Sequence, residues 1–213
     1  MAHTIYRTKD GVRVPSVTTV LGRFKESGGL IHWAWECGKD GKDYREERDK
    51  AASAGTLAHE MVEAFVRGTD RPHHAVDPGI ERKAEQAFGA FKEWAGATRL
   101  QVTHPELRLV SERFAFGGTL DAILVSDKVA IGDWKTSNNV YGDYLCQVAA
   151  YGLLWEENFP DQPITGGYHI IRFDKEYGDF HHHAYPELDD ARQMFLHLRD
   201  AYALDKRVSK RAA

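Results

Sequence analysis

The spacing of hydrophobic residues differs from one part of the chain to another, and each spacing predicts a different type of element. From 55 to 67, apolar residues recur every three or four positions, which is the period of an amphipathic helix. The same period returns from 78 to 95 and from 188 to 202. Pro15 and Ser16 precede a shorter apolar run, and Ser16 is a suitable N-cap for a helix there. The first hundred residues are therefore expected to be mostly helical.

The middle of the chain alternates with period two. Residues 117–123 predict a strand, 126–128 a turn, and 129–135 the returning strand of a hairpin. Further strands are expected over 106–113, 165–173 and 180–185. Strands mixed with helices in this order predict an α/β fold, with a mixed central sheet flanked by helices.

The predicted hairpin places acidic and basic side chains together. Asp133 and Lys135 are two residues apart in one strand and leave the same face, while Asp121 lies on the neighbouring strand. Two close carboxylates repel each other unless a cation lies between them, and Mg²⁺ prefers such oxygen ligands. Gln147 and Tyr151 share one face of the following helix. A surface ion pair is the alternative interpretation, but the whole pattern favours a metal-dependent phosphodiesterase.

The order G-T-L-D, hairpin, D-W-K and Q-V-A-A-Y resembles the PD-(D/E)XK nuclease superfamily, in its RecB-like and phage-exonuclease branch. It is also similar to the mitochondrial genome maintenance exonucleases. The similarity extends to G-T-L-A-H at 55–59 and V-P-S-V-T-T-V-L at 14–21, so it covers most of the chain. It implies a restriction-endonuclease-like core. It further implies a metal-dependent deoxyribonuclease that digests DNA from an end, in phage-type recombination, repair or genome maintenance.

The resemblance also implies the metal ligands. Asp121 and Asp133 are expected to bind one or two Mg²⁺ or Mn²⁺ ions, helped by His59 and by the backbone carbonyl of Trp134. An imidazole ligand suits Mn²⁺ better than Mg²⁺. From the residues alone, a histidine such as His59 on the edge of an apolar helix face is more often a packed residue than a ligand. The family order favours the ligand.

Catalytic roles follow from the same resemblance. Lys135 is expected to activate or position the attacking water, and Gln147 and Tyr151 to position the scissile phosphate and support Lys135. An endonuclease or resolvase of the same superfamily is one alternative function. A non-catalytic DNA-binding subunit with a nuclease-like fold is another, although the presence of all the core catalytic residues argues against it.

Several residues have two interpretations each. Glu112 resembles the extra acid that some relatives place near the metal, or is a solvent-facing strand residue. Glu63 holds a metal-associated water, or pairs with Arg67 one turn later. Ser16 holds a phosphate at a helix start, or only caps that helix. The residues expected to contact DNA are Ser16, Thr18, Thr136 and Ser137.

Composition narrows the class of protein. At 213 residues, the chain suits a single nuclease domain over 1–213, with a helical part (1–100), a core (101–203) and a frayed basic tail (204–213). A net charge of −4 argues against a purely electrostatic nucleic-acid binder. Two cysteines are too few for a four-cysteine iron–sulfur cluster, and no long apolar run is present. A cytoplasmic setting in a bacterium or phage-infected cell is therefore expected. DNA is the expected partner, with a single-strand annealing or recombination protein as a further candidate.

Overall fold

The computed structural model of the chain describes residues 4–25, 27–72 and 75–212. The helices within these residues are α1 (Val17–Phe24), α2 (Gly28–Lys39), α3 (Tyr44–Arg67), α4 (Pro78–Ala97), α5 (Gly142–Asn158) and α6 (Asp189–Ala212). The strands are β1 (Tyr6–Arg7), β2 (Arg13–Val14), β3 (Gln101–Thr103), β4 (Leu107–Ser111), β5 (Phe116–Leu120), β6 (Ala122–Val125), β7 (Val129–Lys135), β8 (Gly167–Phe173) and β9 (Phe180–Tyr185).

Five strands form the central sheet, in the order β3-β6-β7-β8-β9. Strands β7 and β8 are parallel, and the other neighbours are antiparallel. A parallel pair needs a long crossover, which α5 provides. The prediction of an α/β fold with a mixed central sheet and flanking helices is confirmed.

The two faces of the central sheet bury two separate clusters, as the period-two pattern of β7 requires. Ile131 points to a cluster that includes residues of α1, α5 and α6. Ala130 and Trp134 point to the other cluster, which α3 and α4 cover with Met61, Phe91 and their neighbours. Because Asp133 and Lys135 share the face of Ile131, the charged pair lies on the α5 side of the sheet.

One predicted strand is divided in two. The sequence predicts a continuous strand over 117–123, but β5 pairs with β4 in a separate two-stranded sheet, whereas β6 pairs with β7. Helix α5 packs closely against β5 ahead of the change of direction, since a Cβ on Gly118 would lie 2.9 Å from the ring of Tyr151. Asp121 occupies the bend between the two sheets.

The C-terminal segment also differs from its expected form. Instead of a frayed tail after 203, α6 continues to Ala212. Arg23 of α1 donates two hydrogen bonds of 2.8 Å to the carboxylate of Asp205, which holds this half of α6 against α1. None of the helices in the described part of the chain combines the length and hydrophobicity that crossing a bilayer requires.

Candidate metal and catalytic centre

Side chains from three elements meet where the two sheets join. Asp133 and Lys135 come from the end of β7, and the lysine Nζ lies 2.5 Å from Asp133 Oδ2. Asp121 lies at the bend after β5, and its Oδ2 accepts a 2.7 Å hydrogen bond from the backbone N–H of Trp134. His59 of α3 places its Nδ1 3.9 Å from the same oxygen. The structure thus brings together residues that are up to 76 positions apart in the sequence.

The buried carboxylate of Asp133 has one close partner, the ammonium of Lys135, whose Nζ lies 2.5 Å from Oδ2. The Asp133 side chain is fully buried, and apart from this ion pair neither oxygen has a hydrogen-bond partner among the described residues. Leaving such a group without hydrogen bonds costs several kcal/mol unless a cation or other partner compensates it. The two oxygens therefore fit a site that binds a metal ion.

Three candidate metal ligands lie close together in the same region as Asp133. One nitrogen of His59 and one oxygen each of Glu106 and Asp121 lie within 4.8 Å of one another. Carboxylate oxygens are the ligands that Mg²⁺ prefers, and an imidazole is also compatible with Mn²⁺. These three donors fit a divalent ion of this kind, and Asp133 as a further ligand stays a prediction. A role for the Trp134 carbonyl as a further ligand stays a prediction.

The glutamate that the structure places beside Asp121 is Glu106, whereas Glu112 is exposed, as the second of its two interpretations expects. In the β4–β5 hairpin Leu107 pairs with Leu120, and the N–H of Glu106 donates a 3.2 Å bond to Asp121 O. Glu112 follows the far end of β4. It lies five residues after Leu107, which corresponds to roughly 16 Å at about 3.3 Å per residue. There its carboxylate accepts a 2.9 Å hydrogen bond from the backbone N–H of Lys9. The sequence lacks a signal for this because the pairing register decides which glutamate faces Asp121.

Glu63 has the partner that the second of its two interpretations predicts. Its Oε1 accepts a 2.8 Å hydrogen bond from Arg67 Nε, and Arg67 also donates to the carbonyl of Pro105. The carboxylate remains close enough to Glu106 to raise the pKa of that group. Glu63 is therefore paired with Arg67 and also contributes negative charge at the edge of the centre.

Burial and mutual repulsion disfavour the ionised carboxylates. Burial, followed by the charges of Asp121 and Glu63, raises the pKa of Glu106 to about 8. Burial also raises the pKa of Asp133 to about 6, although Lys135 opposes the shift. Burial raises the pKa of Asp121 in the same way. Burial is the main cause of these raised pKa values, and a bound cation would favour the ionised carboxylates against it.

The pKa values of the two basic side chains, Lys135 and His59, shift in opposite directions. Burial disfavours the ammonium of Lys135, but Asp133 and Asp121 outweigh it and raise the pKa above its ordinary value. Burial, together with the charge of Lys135, lowers the pKa of His59 to about 4. At neutral pH the lysine is therefore charged and can only donate, whereas the imidazole is neutral and has a lone pair for a metal ion.

Gln147 and Tyr151 face the centre from α5. Gln147 Nε2 donates a 2.7 Å hydrogen bond to Tyr151 Oη. Burial, with the charges of Asp133 and Asp121, raises the pKa of this buried tyrosine well above its usual range, so its hydroxyl keeps the proton. Since the oxygen accepts from Gln147, the hydroxyl hydrogen remains available for a substrate oxygen.

The residues expected to contact DNA lie in two places: Thr136 and Ser137 directly follow Lys135, whereas Ser16 bridges to Gly117 near the other end of β5. Ser16 caps α1, where its Oγ accepts a 3.0 Å hydrogen bond from the N–H of Thr19, and it also bonds the hydroxyl of Thr18. Thr136 lies against Gly55 of α3, where a Cβ would come within 2.8 Å of Oγ1. Ser137 Oγ donates to Asn139 O. Capping is thus observed for Ser16, and contact with phosphate stays a prediction for all four residues.

Arg172 was not singled out from the sequence. It is buried on β8 in register with Lys135, and directly paired residues of parallel strands point to the same side of a sheet. Its Nη1 donates a 3.0 Å hydrogen bond to Asp174 and a 3.4 Å bond to the carbonyl of Ser137. Arg172 therefore braces the segment that follows Lys135. Its location depends on the β7–β8 register, for which the sequence holds no local signal.

A comparison with protein families finds a match that spans nearly the whole chain. The family model described as the PD-(D/E)XK nuclease superfamily matches residues 6–211. No curated protein matches the sequence.

Some solved structures share part of the architecture. The alkaline exonuclease LHK-Exo from Laribacter hongkongensis is similar in two crystal structures. One contains dAMP and has 13% identity over 74% of this chain and 86% of its own, with a TM-score of 0.45. The other has 14% identity over 77% and 92%, with a TM-score of 0.37. A candidate exonuclease from Eubacterium rectale has 12% identity over 87% and 69%, with a TM-score of 0.41. All three TM-scores are below 0.5, so these likenesses add nothing to the family match.

Proposed function

Because the chain belongs to the PD-(D/E)XK nuclease superfamily, as the match over nearly its whole length shows, we propose that it is a divalent-metal-dependent deoxyribonuclease that hydrolyses phosphodiester bonds from DNA ends. One observation carries the proposal: the fully buried carboxylate of Asp133 is paired only with the ammonium of Lys135 among the described residues, while the charge of Asp121 acts against its ionisation. A structural core has no use for such an arrangement, whereas phosphodiester hydrolysis needs both the cation site and the lysine.

The donor set favours Mg²⁺ or Mn²⁺. Asp121, Asp133, Glu106 and His59 would hold the ion, with the Trp134 carbonyl as a further candidate. When bound, the ion supplies the positive charge that stabilises negative charge developing on the phosphate. The neutral imidazole of His59 and the bent backbone at Asp121 keep these donors directed to one point.

Lys135 has a positioning role in this proposal. Its ammonium is held by Asp133 and remains charged, so it donates hydrogen bonds to the attacking water and to a phosphate oxygen rather than accepting a proton. The ring of Tyr144 lies 4.8 Å from Nζ and stabilises the cation further. Holding water and phosphate in an attacking geometry is a main source of rate acceleration in such sites.

The remaining residues orient the DNA strand. Tyr151, which accepts a hydrogen bond from Gln147, is placed to donate its hydroxyl hydrogen to the scissile phosphate. Further phosphate contacts are proposed for the hydroxyl groups of Ser16, Thr18, Thr136 and Ser137. The sequence resemblance also supports a role in phage-type recombination, repair or genome maintenance, beside a single-strand annealing or recombination protein.

The proposal is tested with linear and covalently closed circular DNA of the same sequence, incubated with Mg²⁺, Mn²⁺ or EDTA. Digestion of the linear form alone, and only with metal, is the expected result. Asp133→Asn should abolish it, and Asp127→Asn, an exposed aspartate in the β6–β7 turn, is the matched control. Cutting of circles would instead indicate an endonuclease. Binding without cutting would indicate a non-catalytic subunit.

A further inference from the structure

Three arginines line one groove, between the turn that joins β4 to β5 and the C-terminal half of α6. Arg113 lies in the turn, and Arg199 and Arg207 lie about two helical turns apart on α6. The groove has a volume of about 660 Å³. Asp200 is the one acidic side chain among the described residues that line it. Positive charge from two separate elements therefore converges on one depression of the surface.

The contacts that Arg113 and Arg199 make are with neutral groups. Arg199 is half-buried and donates a 2.9 Å hydrogen bond from Nε to the carbonyl of Ala115, and burial lowers its pKa. The Arg113 guanidinium lies over the ring of Phe114, 4.8 Å from its centre. In the described part of the chain, none of the three guanidinium groups of the groove forms an ion pair with a carboxylate within 4.0 Å. Partly desolvating a cation without an anion is unfavourable, and an anionic ligand would offset this cost.

The charge of the groove contrasts with that of the whole chain. Residues 199–212 contain five basic and two acidic side chains, although the net charge of the protein is −4. Asp205, one of the acids of this segment, is already paired with Arg23. The C-terminal half of α6 is therefore a local basic surface on an acidic protein, which points to a specific anionic partner rather than to general solubility.

This basic surface continues beyond the groove. Lys206, next to Arg207, lines a second cavity together with Arg13 and Tyr6. The hydroxyl of Tyr6 shares a 2.6 Å hydrogen bond with Thr119, two residues before Asp121. Basic side chains thus line two adjacent cavities, and Tyr6 of the second cavity contacts β5 two residues before Asp121.

We propose that the groove of Arg113, Arg199 and Arg207 binds the phosphate backbone of DNA that extends beyond the catalytic centre. The inference rests on the proposed function. Guanidinium groups bind phosphate with paired hydrogen bonds, which lysine cannot reproduce. The β4–β5 turn precedes Phe116, the first residue of β5, and Asp121 follows the last residue of that strand. The turn is therefore about 16 Å from Asp121, at about 3.3 Å per residue. At about 3.4 Å per nucleotide, DNA reaches the groove roughly five base pairs from the centre.

The test compares two double variants with the wild-type protein. Arg113→Ala/Arg207→Ala removes two exposed guanidinium groups from the groove and leaves Arg199 in place to bond Ala115. Arg99→Ala/Lys128→Ala makes the same change of charge at the end of the central sheet remote from Asp121. Fluorescence anisotropy with Ca²⁺ gives Kd over a range of salt concentrations. The probes are a long duplex, a long single strand, and a hairpin DNA whose stem has about five base pairs.

The groove variant is expected to bind the long duplex about tenfold more weakly at low salt. Its slope of log K against log salt should fall by about 0.9 for each phosphate that the variant no longer neutralises, or about 0.7 on a single strand. The reduction in affinity for the short hairpin should be much smaller. The long probe that shows the larger change identifies the form of DNA that occupies the groove.

Unchanged Kd and slope in the groove variant would overturn the inference, as would an equal reduction in affinity in the control variant. An equal reduction on the short hairpin would also overturn it, because that probe does not reach the groove. The proposed function fails separately, if the wild-type protein binds these probes but digests no DNA with Mg²⁺ or Mn²⁺.

Discussion

At the scale of single residues, two glutamates of one hairpin differ in what their carboxylates face. Glu106 lies beside Asp121 and His59, whereas Glu112 accepts a hydrogen bond from the backbone of Lys9. Glu106→Gln should weaken Mn²⁺ binding by at least about tenfold, since even outer partners of metal ligands contribute that much. Glu112→Gln makes the same chemical change and should leave the affinity unaltered. Isothermal titration calorimetry measures both, and the reverse order of effects would refute the assignment of Glu106.

The buried carboxylates also predict how stability depends on pH. The pKa of Asp133 is raised to about 6, above the ordinary value of about 3.9 for an unfolded chain. The folded state therefore binds this proton more tightly than the unfolded state, and the stability it confers is complete below about pH 4. That stability is lost as the pH rises through 6, by roughly 2–3 kcal/mol.

Thermal unfolding in EDTA tests this expectation. The Tm of the wild-type protein should fall between pH 5 and pH 8, and the Tm of Asp133→Asn should fall less, because an amide does not titrate. Glu106, whose pKa is about 8, adds to the decline in both proteins. Mg²⁺ at pH 8 should raise the Tm of the wild-type protein more than that of the variant. Parallel curves for the two proteins in EDTA would contradict this expectation.

At the scale of elements, α5 packs closely against β5 just ahead of the bend at Asp121. A Cβ on Gly118 would lie 2.9 Å from Tyr151 and 2.9 Å from Leu154. Gly118→Ala should therefore destabilise the fold by about 1–3 kcal/mol, the usual cost of overpacking. Gly89→Ala is the control, because nothing lies within 4 Å of that position in α4. The control should be neutral or stabilising by about 1 kcal/mol. Urea unfolding measures both, and equal stability of the two variants would argue against this close packing at Gly118.

The positions of residues within these elements determine which parts of the site the sequence predicts. Asp133 and Lys135 lie together as predicted because their spacing is a local property of one strand. The pairing of Gln147 with Tyr151 is likewise set by the helical repeat. Glu106 and Arg172 depend instead on the register between strands, which distant contacts decide. The spacing of residues along the sequence therefore predicts the elements and the pairs of residues within one element. It does not predict the residues that only strand pairing places at the site.

At the scale of the whole molecule, the protein combines an acidic centre with a basic surface on α6. The carboxylates of the centre repel the DNA phosphates until a divalent ion neutralises them, whereas Arg113, Arg199 and Arg207 attract the phosphates at any metal concentration. This arrangement explains how a chain with a net charge of −4 can act on DNA. DNA affinity should consequently be higher in Ca²⁺ than in EDTA, as measured by anisotropy at constant ionic strength. Equal affinity in the two conditions would show that the metal does not bridge the protein to DNA.

The central claim is that Lys135, held by Asp133, positions the reacting groups at a metal-dependent phosphodiesterase centre. The most direct measurement is the single-turnover cleavage rate of end-labelled linear DNA with Mg²⁺, recorded beside Ca²⁺-dependent DNA binding and thermal unfolding. Lys135→Ala and Lys135→Arg should retain the fold and the binding but lose at least about 10²-fold in rate, since neither methyl group nor planar guanidinium positions the reacting groups as the compact ammonium does. Lys128→Ala, a lysine of the exposed β6–β7 turn, should cleave at the wild-type rate. Cleavage by Lys135→Ala at nearly the wild-type rate would contradict the assignment of this centre.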